Sequence, residues 1–292
     1  VPLPDRWMRG FGEAQAQAAA MSEQFSMTPA EARAFIRGLP RASTTKEVAW
    51  AVPSNRGYRL APQPGTGPAV CLAGPERLRL VEPLLRHATG LKVYGPADPA
   101  AETASAWQLD LPGMRLTATV SPSKARGFSG EGGLLGDLAG STTAADADLI
   151  AALLAYEEVI DPTALSAAAG WPGDTGRSRR ALSALAAAGR VGYDLADQAY
   201  YHRELPYDPA LLGRRNPRLV DAQALVGAGA VEWTDSAHAT ITSKGASYLV
   251  TLASTLPDSA CTCPWYGRHR GGRGPCKHVL AAWLQSARLS HP

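Results

Sequence analysis

Cysteine is scarce in this sequence, with only four residues among 292. Four cysteines are too few for a disulfide-built fold of this size, so that class is excluded. Long apolar runs are also missing, since none reaches the ~20 residues that a membrane helix needs. The first residues lack the basic-then-apolar order of a secretory signal. Three of the cysteines cluster beside a histidine, which is typical of metal binding in a reducing compartment, and we therefore expect a cytoplasmic protein with no membrane partner.

The chain has little excess of either charge, because its formal net charge is only +3. So mild an excess does not identify a nucleic-acid-binding protein, and only local clusters can support that interpretation. The hydrophobic share of 45% and the charged share of 19% exclude a fibrous or wholly disordered chain. The length allows two or three compact domains. The chain begins with Val1, which indicates a processed start or a piece of a longer protein.

The pattern of elements predicts an α+β protein with three domains, at 1–140, 141–207 and 208–292. The first is a mixed α/β domain whose second helix is opened by Thr28 as N-cap and Pro29 as first helical residue. The predicted segments are a helix at 6–25, a helix from 29 to 37, strands at 47–52, 57–61 and 69–73, a helical stretch at 75–88, and a hairpin of 107–111 with 114–120 that turns at Pro112-Gly113.

The central domain is predicted to be a winged helix-turn-helix module. Its helices are expected at 148–156, 162–169 and 175–188, and Asp161-Pro162 opens the second of them. Two strands at 190–195 and 199–203 follow and form the wing. A linker is predicted at 141–143, before this module. The order of three helices followed by a hairpin is typical of a winged helix-turn-helix.

The strongest functional signal lies near the end of the sequence. Cys261 and Cys263 are separated by twelve residues from Cys276, and His278 follows two positions later. Three thiolates and one imidazole complete a tetrahedral structural zinc site, and four protein ligands leave no open position for catalysis. His269 lies in the gap and is the alternative nitrogen ligand. We favour His278 because a Cys-x-His pair at a helix start fixes both ligands rigidly.

This Cys-x-Cys and Cys-x-His pattern, followed by an apolar helix at 277–287, resembles the SWIM zinc finger. The strand that ends in residues 248–252 is also similar to the segment that precedes the motif in that family. The resemblance implies a small ββα domain, one structural Zn²⁺ and the ligands Cys261, Cys263, Cys276 and His278. SWIM domains occur in proteins linked to DNA binding and to protein–protein contacts.

A second resemblance covers the segment 126–132 together with Asp5-Arg6-Trp7. These residues are similar to bacterial SWIM proteins that are associated with MoxR-type AAA+ ATPases and von Willebrand A-type proteins. The resemblance implies an alternative function as a protein–protein adaptor or regulator of an AAA+ ATPase system.

Basic and aromatic residues surround the predicted metal site. The segment 264–275 is rich in glycine and arginine and has no acidic residue, so we predict a loop that contacts nucleic acid, DNA rather than RNA. A solvated loop and a site for an acidic protein partner are the alternatives.

In the central module, Asp194 and Asp197 in the wing repel phosphate and favour a protein partner instead. The candidate contacts are Arg177, Arg179, Arg180, Trp265, Tyr266, Arg268, Arg270, Arg273 and Lys277.

Three motifs that would suggest an enzyme are incomplete. Ser129 lies in a sequence that lacks the final glycine of a nucleophile elbow. Ser121 and Lys124 have Ser-x-x-Lys spacing, but Pro122 argues against the helix that this motif requires. The glycines near Gly65 lack a Walker lysine. Cys71 lies in an apolar run and is interpreted as a buried core residue. We therefore expect a non-enzymatic protein.

Overall fold

The computed structural model describes residues 5–42, 48–124, 128, 135, 144–156, 161–203 and 216–290. The chain divides into two compact units: one comprises 17–128, and the other comprises 1–16 with 129–292. The predicted boundaries at 140/141 and 207/208, the linker at 141–143 and the motif around Ser129 lie outside the described residues. The three predicted domains therefore stay predictions.

The unit 17–128 is built on two antiparallel sheets. The larger has the strand order β1-β5-β6-β7 and the smaller has the order β3-β2-β4. Its elements, with the helix α1 that leads into it, are α1 (Asp5–Ala18), β1 (Ser22–Met27), α2 (Pro29–Gly38), β2 (Val48–Ser54), β3 (Gly57–Ala61), β4 (Val70–Ala73), a 3₁₀ helix (Pro75–Leu84), β5 (Gly90–Gly95), β6 (Ser105–Leu111) and β7 (Met114–Val120).

Helix α2 begins where the sequence predicted. The Thr28 side chain accepts the N–H of Glu31, and the Glu31 carboxylate accepts the N–H of Thr28, so the two residues form a capping box. Phe35 on this helix stacks on Trp107 of β6, with ring centroids 5.5 Å apart. The packing of α2 on the larger sheet thus forms the centre of this unit's core.

Two predictions in this unit need correction. The helix predicted at 6–25 ends at Ala18, and 22–27 form a strand, because Phe25 and Met27 are buried and pair with β5. The helical stretch predicted at 75–88 is a 3₁₀ helix that ends at Leu84, next to Pro83, which has no N–H to donate. The hairpin turning at Pro112-Gly113 is confirmed.

Residues 144–203 contain three helices and a hairpin in the predicted order. They are α3 (Ala144–Tyr156), α4 (Pro162–Ala168), α5 (Thr175–Ala187), β8 (Val191–Asp194) and β9 (Ala199–His202). Asp161 caps α4, because its carboxylate accepts the N–H groups of Thr163 and Ala164. Leu182 and Leu185 of α5 are buried in the core of this module.

Helix α1 packs on the hairpin of this module. The Gln15 side-chain oxygen accepts the backbone N–H of Tyr193 in β8. The guanidinium of Arg203 lies over the ring of Phe11, 5.7 Å from its centroid. The outer edge of β8 is therefore covered by α1 at this position.

Residues 216–290 form a four-stranded antiparallel sheet with helices packed against it. The strand order is β10-β11-β12-β13. The elements are α6 (Pro217–Gly227), β10 (Val231–Trp233), β11 (His238–Ser243), β12 (Ala246–Thr251), β13 (Ala260–Cys261), α7 (Pro264–His269) and α8 (Lys277–Ser290). The core contains Ile241, Val250 and Leu280, all fully buried.

The segment predicted as a loop at 264–275 is only partly a loop. Its first half is the short helix α7, because Cys263 caps the helix and Pro264 occupies its first position. The helix ends at His269, and Arg270, which follows it, adopts a left-handed conformation. Among the described residues, no helix has both the length and the hydropathy to cross a bilayer.

Candidate metal centre

Each candidate ligand lies at the end of an element of the C-terminal sheet and helices. Cys261 ends β13, whose pairing with Val250 of β12 fixes its position. Cys263 is the N-cap of α7, Cys276 directly precedes α8, and His278 is the second residue of α8. The strand end and the two helix starts therefore bring the four side chains together.

Backbone N–H groups orient the three sulfur atoms. The Cys261 sulfur accepts the N–H of Cys263 at 3.4 Å, and the Cys263 sulfur accepts the N–H of Tyr266 at 3.4 Å. The Cys276 sulfur accepts the N–H of Val279 at 3.5 Å. Such bonds, and the positive ends of two helices, favour the thiolate form that a metal requires.

The four side chains have the geometry of a closed zinc site. Their ligand atoms all lie within 4.8 Å of one another, and all four residues are buried. His278 directs Nδ1 at the sulfur of Cys261, at 3.8 Å. Ligand atoms around tetrahedral zinc are about 3.5–3.8 Å apart, given Zn–S and Zn–N bonds of about 2.3 and 2.0 Å. Three thiols and one imidazole in this arrangement fit one structural Zn²⁺, as the sequence predicted.

The three cysteine thiols of the cluster differ in the direction in which their pKa values are shifted. The hydrogen bond from Cys261 lowers the pKa of Cys276, and hydrogen bonds from His278 and from the Val279 N–H lower it further. Burial acts in the opposite direction but is outweighed. The hydrogen bond with Cys276 and burial raise the pKa of Cys261. Burial also raises the pKa of Cys263. Zinc binds the thiolate form of all three sulfurs, so the ion must displace the protons that these cysteines still carry.

The segment that carries the metal centre is similar in sequence to a known family of zinc fingers. Residues 248–285 match the SWIM zinc finger family. This segment is a SWIM zinc finger. The match begins in β12, includes all four ligands and ends in α8. Comparisons of the chain with curated proteins and with solved structures gave no significant match.

The imidazole ligand of the SWIM finger is held by an aromatic ring. Tyr248 of β12 stacks on His278, with centroids 4.5 Å apart and an angle of 25° between the planes. His269, the alternative nitrogen ligand, lies in α7 with its ring 4.8 Å from that of Trp265, and it is not in the ligand cluster. The preference for His278 is confirmed.

The predicted nucleic-acid contacts in the SWIM finger have different environments. Arg268 and Arg270 are exposed, whereas Arg273 is half-buried. Lys277 forms an ion pair with Asp221 of α6, with 3.4 Å between Nζ and Oδ2. The finger thus offers two freely exposed arginines beside its metal centre, and these two contacts stay predictions.

The two aromatic candidates pack inside the finger. Trp265 has the guanidinium of Arg218 at 4.8 Å from its ring centroid and the ring of His269 at 4.8 Å. Tyr266 packs against the buried core of the domain. Both side chains therefore have partners within the protein, which the sequence pattern did not indicate.

The arginines of α5 also differ from one another. Arg177 forms an ion pair with the buried carboxylate of Asp146. Arg179 is exposed and Arg180 is half-buried. Of the three candidates in this helix, Arg179 has the environment expected for a phosphate contact.

Sequence reasoning missed two residues of α6 that contact the finger. Arg218 donates to the backbone oxygens of Arg273 and Pro275, and Asp221 pairs with Lys277. The N1 proline at Pro217 indicates a helix start here, but no pattern indicates its partners.

Proposed function

We propose that this protein is a non-enzymatic, zinc-stabilised nucleic-acid-binding protein and that its ligand is DNA. The exposed pair Arg268 and Arg270 carries this proposal. The sequence from Ser259 to Pro292 contains five lysine or arginine residues and no acidic residue, so no carboxylate within this stretch offsets their charge. Zinc has four protein ligands here, and its role is to hold this surface in shape.

The environment of the aromatic side chains supports binding to the phosphate backbone rather than to the bases. Trp265 contacts both Arg218 and His269, and Tyr266 packs on the core. Arginine forks suit phosphate oxygens, and such contacts carry no sequence information directly. The proposed mode is therefore electrostatic and tolerant of sequence.

We interpret 144–203 as a winged helix that has a secondary part in this binding. Arg179 is exposed on its third helix, which supports one phosphate contact. The covered outer edge of β8 and the acidic residue Asp194 oppose insertion of the wing into a groove. The SWIM finger is thus the main contact in this proposal.

The test is a salt-resolved binding titration with the full-length, zinc-loaded protein and a fluorescein-labelled 20-base-pair duplex. The logarithm of the association constant should fall linearly with the logarithm of salt concentration, with a slope of about −0.9 for each phosphate neutralised. The variant R268A/R270A should make this slope shallower by about 1.8. Two unrelated duplexes should bind equally.

A matched control removes the same charge elsewhere. Arg37 and Arg56 are exposed residues of the unit 17–128, so R37A/R56A should leave the slope unchanged. An equal change in both double variants would mean that only the net charge matters, and no change in R268A/R270A would remove the SWIM finger from the interface.

A protein partner is the second candidate. The pairing with Asp146 removes Arg177 from the possible phosphate contacts of the central module, and α1 covers the outer edge of β8. An adaptor for an AAA+ ATPase of the MoxR type would bind the duplex weakly without saturation. It would also form a stable complex with the purified ATPase in size-exclusion chromatography.

A further inference from the structure

Arg218 lies in the first turn of α6, outside the residues that match the SWIM family. Its Nη1 donates to the backbone oxygen of Arg273 at 2.7 Å and to that of Pro275 at 2.9 Å. Pro275 is bonded directly to Cys276, so the guanidinium holds the peptide that leads into the second pair of ligands. Hydrogen bonds from a charged donor are the stronger kind in proteins.

The same guanidinium also contacts the segment that follows the first pair of ligands. It lies over Trp265, 4.8 Å from the ring centroid, and Trp265 follows Cys263 by two residues. One planar cation therefore contacts the chain next to both halves of the metal centre. Arginine suits this position because it can donate hydrogen bonds from its edge while its face lies on an aromatic ring.

The contact of Arg218 matters because of the composition of the segment that joins the two ligand pairs. The residues Gly271, Gly272 and Gly274 connect α7 to Cys276, and glycine is the residue with the greatest backbone freedom. Hydrogen bonds of Gly272 and Gly274 within this turn are local. Arg218 adds two hydrogen bonds from a separate helix, and these fix where the turn lies relative to that helix.

Helix α6 is itself anchored in the domain core. Leu219 and Ala222 are buried in the cluster that includes three of the ligands, and α6 packs along α8. Arg218 thus projects from an element whose position is set by apolar packing. The ion pair of Asp221 with Lys277 is the second polar contact of this helix with the finger, and it is partly exposed.

We propose that Arg218 is a positioning residue for the zinc ligands, and that the working metal centre therefore extends upstream of the SWIM segment to include α6. The residue acts through the backbone before Cys276 and through Trp265, and it does not touch the metal. Loss of a group that orients metal ligands lowers metal affinity by about 10–100-fold. This inference does not depend on the proposed nucleic-acid function.

The test compares Arg218→Ala, Arg218→Lys and Asp221→Asn in the full-length, zinc-loaded protein. Zinc affinity is measured by competition with a chromophoric chelator, and the rate of zinc release is followed by its absorbance. Arg218→Ala should lose about 10–100-fold in affinity and release zinc faster. Arg218→Lys should recover part of the loss, because one carbonyl can still accept a hydrogen bond. Asp221→Asn should stay within about twofold of the parent.

Two further measurements separate positioning from general destabilisation. Ile241→Val removes one buried methyl group from the same core and should lower the thermal midpoint without changing zinc affinity by more than about twofold. Cobalt-substituted protein reports ligand geometry, and its visible absorption bands should change in Arg218→Ala and be partly restored in Arg218→Lys. Unchanged zinc affinity in Arg218→Ala, or an equal loss in Ile241→Val, would overturn the proposal.

Discussion

Arg177 donates from Nε and Nη2 to the two carboxylate oxygens of Asp146, at 3.0 and 2.7 Å. Asp146 is 5% exposed, and the guanidinium also lies over the ring of Trp171 at 4.2 Å. The hydrogen bond to Asp146 raises the pKa of Arg177. The pair joins α5 to α3, so the charge of Arg177 is already balanced within the protein.

Arg177→Ala should therefore affect stability and not nucleic-acid binding. It leaves the buried carboxylate of Asp146 without its partner, and we expect the thermal midpoint of the full-length protein to fall by about 5 °C or more. The salt slope of duplex binding should not change. The matched variant is Arg179→Ala, which should leave the midpoint unchanged and make the slope shallower by about 0.9. The opposite pattern would show that Arg177 leaves Asp146 to bind phosphate.

The hairpin β8-β9 gives a second prediction about stability. A Cβ atom added at Gly192 would lie 2.4 Å from the Cζ atom of Tyr201, because the tyrosine ring lies across the glycine backbone. Gly192→Ala should destabilise the module by up to about 1–3 kcal/mol, because the half-buried Tyr201 ring must move away from the glycine backbone. Chemical denaturation followed by circular dichroism measures this loss.

The control for this prediction comes from a double variant. In G192A/Y201A the overlap is removed, so the loss should be smaller than the sum of the two single losses. Gly227→Ala, where an added Cβ meets nothing within 4 Å, should not destabilise the protein. Additive losses at 192 and 201 would mean that the ring does not determine the need for glycine.

Elements with local signals were predicted well. The starts of α2 and α4 depend on Thr28-Pro29 and Asp161-Pro162, whose hydrogen bonds reach only a few residues along the chain. Strands β1 and β5 were not predicted because they stabilise each other across a large sequence distance, as in the pairing of Ser22 with Gly95. Pairing of this kind overrides the helix propensity of the residues before Phe25.

In the metal centre, too, the residues with a local sequence signal were predicted and those held by distant contacts were not. Its four ligands were predicted because their residue types and spacing are specific for zinc. Arg218 was not, since its acceptors are backbone oxygens of Arg273 and Pro275, which any residue would supply. Helix α7 was missed because a cysteine serves as its cap, in a segment whose glycines and arginines indicate a loop.

Removal of one ligand should cost the protein its zinc. Cys276→Ser and His278→Ala should each lower the metal content of the purified protein well below one ion per chain, because three protein ligands and a water hold Zn²⁺ more weakly than the closed four-ligand site. Mass spectrometry of metals in purified protein measures the content, and circular dichroism measures the accompanying loss of helix. Zinc at full occupancy in either variant would contradict the assigned ligand set.

Two controls match these variants in residue type. Cys71 is a buried cysteine of the other unit, where burial raises its pKa to about 12. His269 lies close to the site but outside the cluster. Cys71→Ala and His269→Gln should both keep one zinc per chain, which would show that the loss is specific to the four ligands.

Zinc binding should release about two protons per ion at pH 7. The pKa values of Cys261 and Cys263 are raised, so we expect both side chains to be thiols at pH 7 in the metal-free finger, whereas hydrogen bonding lowers the pKa of Cys276 to about 4 and we expect a thiolate there. Zinc requires all three thiolates. Protons therefore compete with zinc, and its apparent affinity should fall as the pH falls, by about 100-fold per pH unit where two protons are displaced.

Calorimetric titrations at pH 7 in buffers of different ionisation enthalpy measure the number of protons directly. A plot of the observed binding enthalpy against the buffer enthalpy has a slope equal to that number, and we expect a slope of about two. A slope near three would mean that Cys276 is also protonated without metal, as in an unfolded finger whose thiols have ordinary pKa values. A slope near zero would contradict the thiol form of Cys261 and Cys263, because no proton would then be displaced from sulfur.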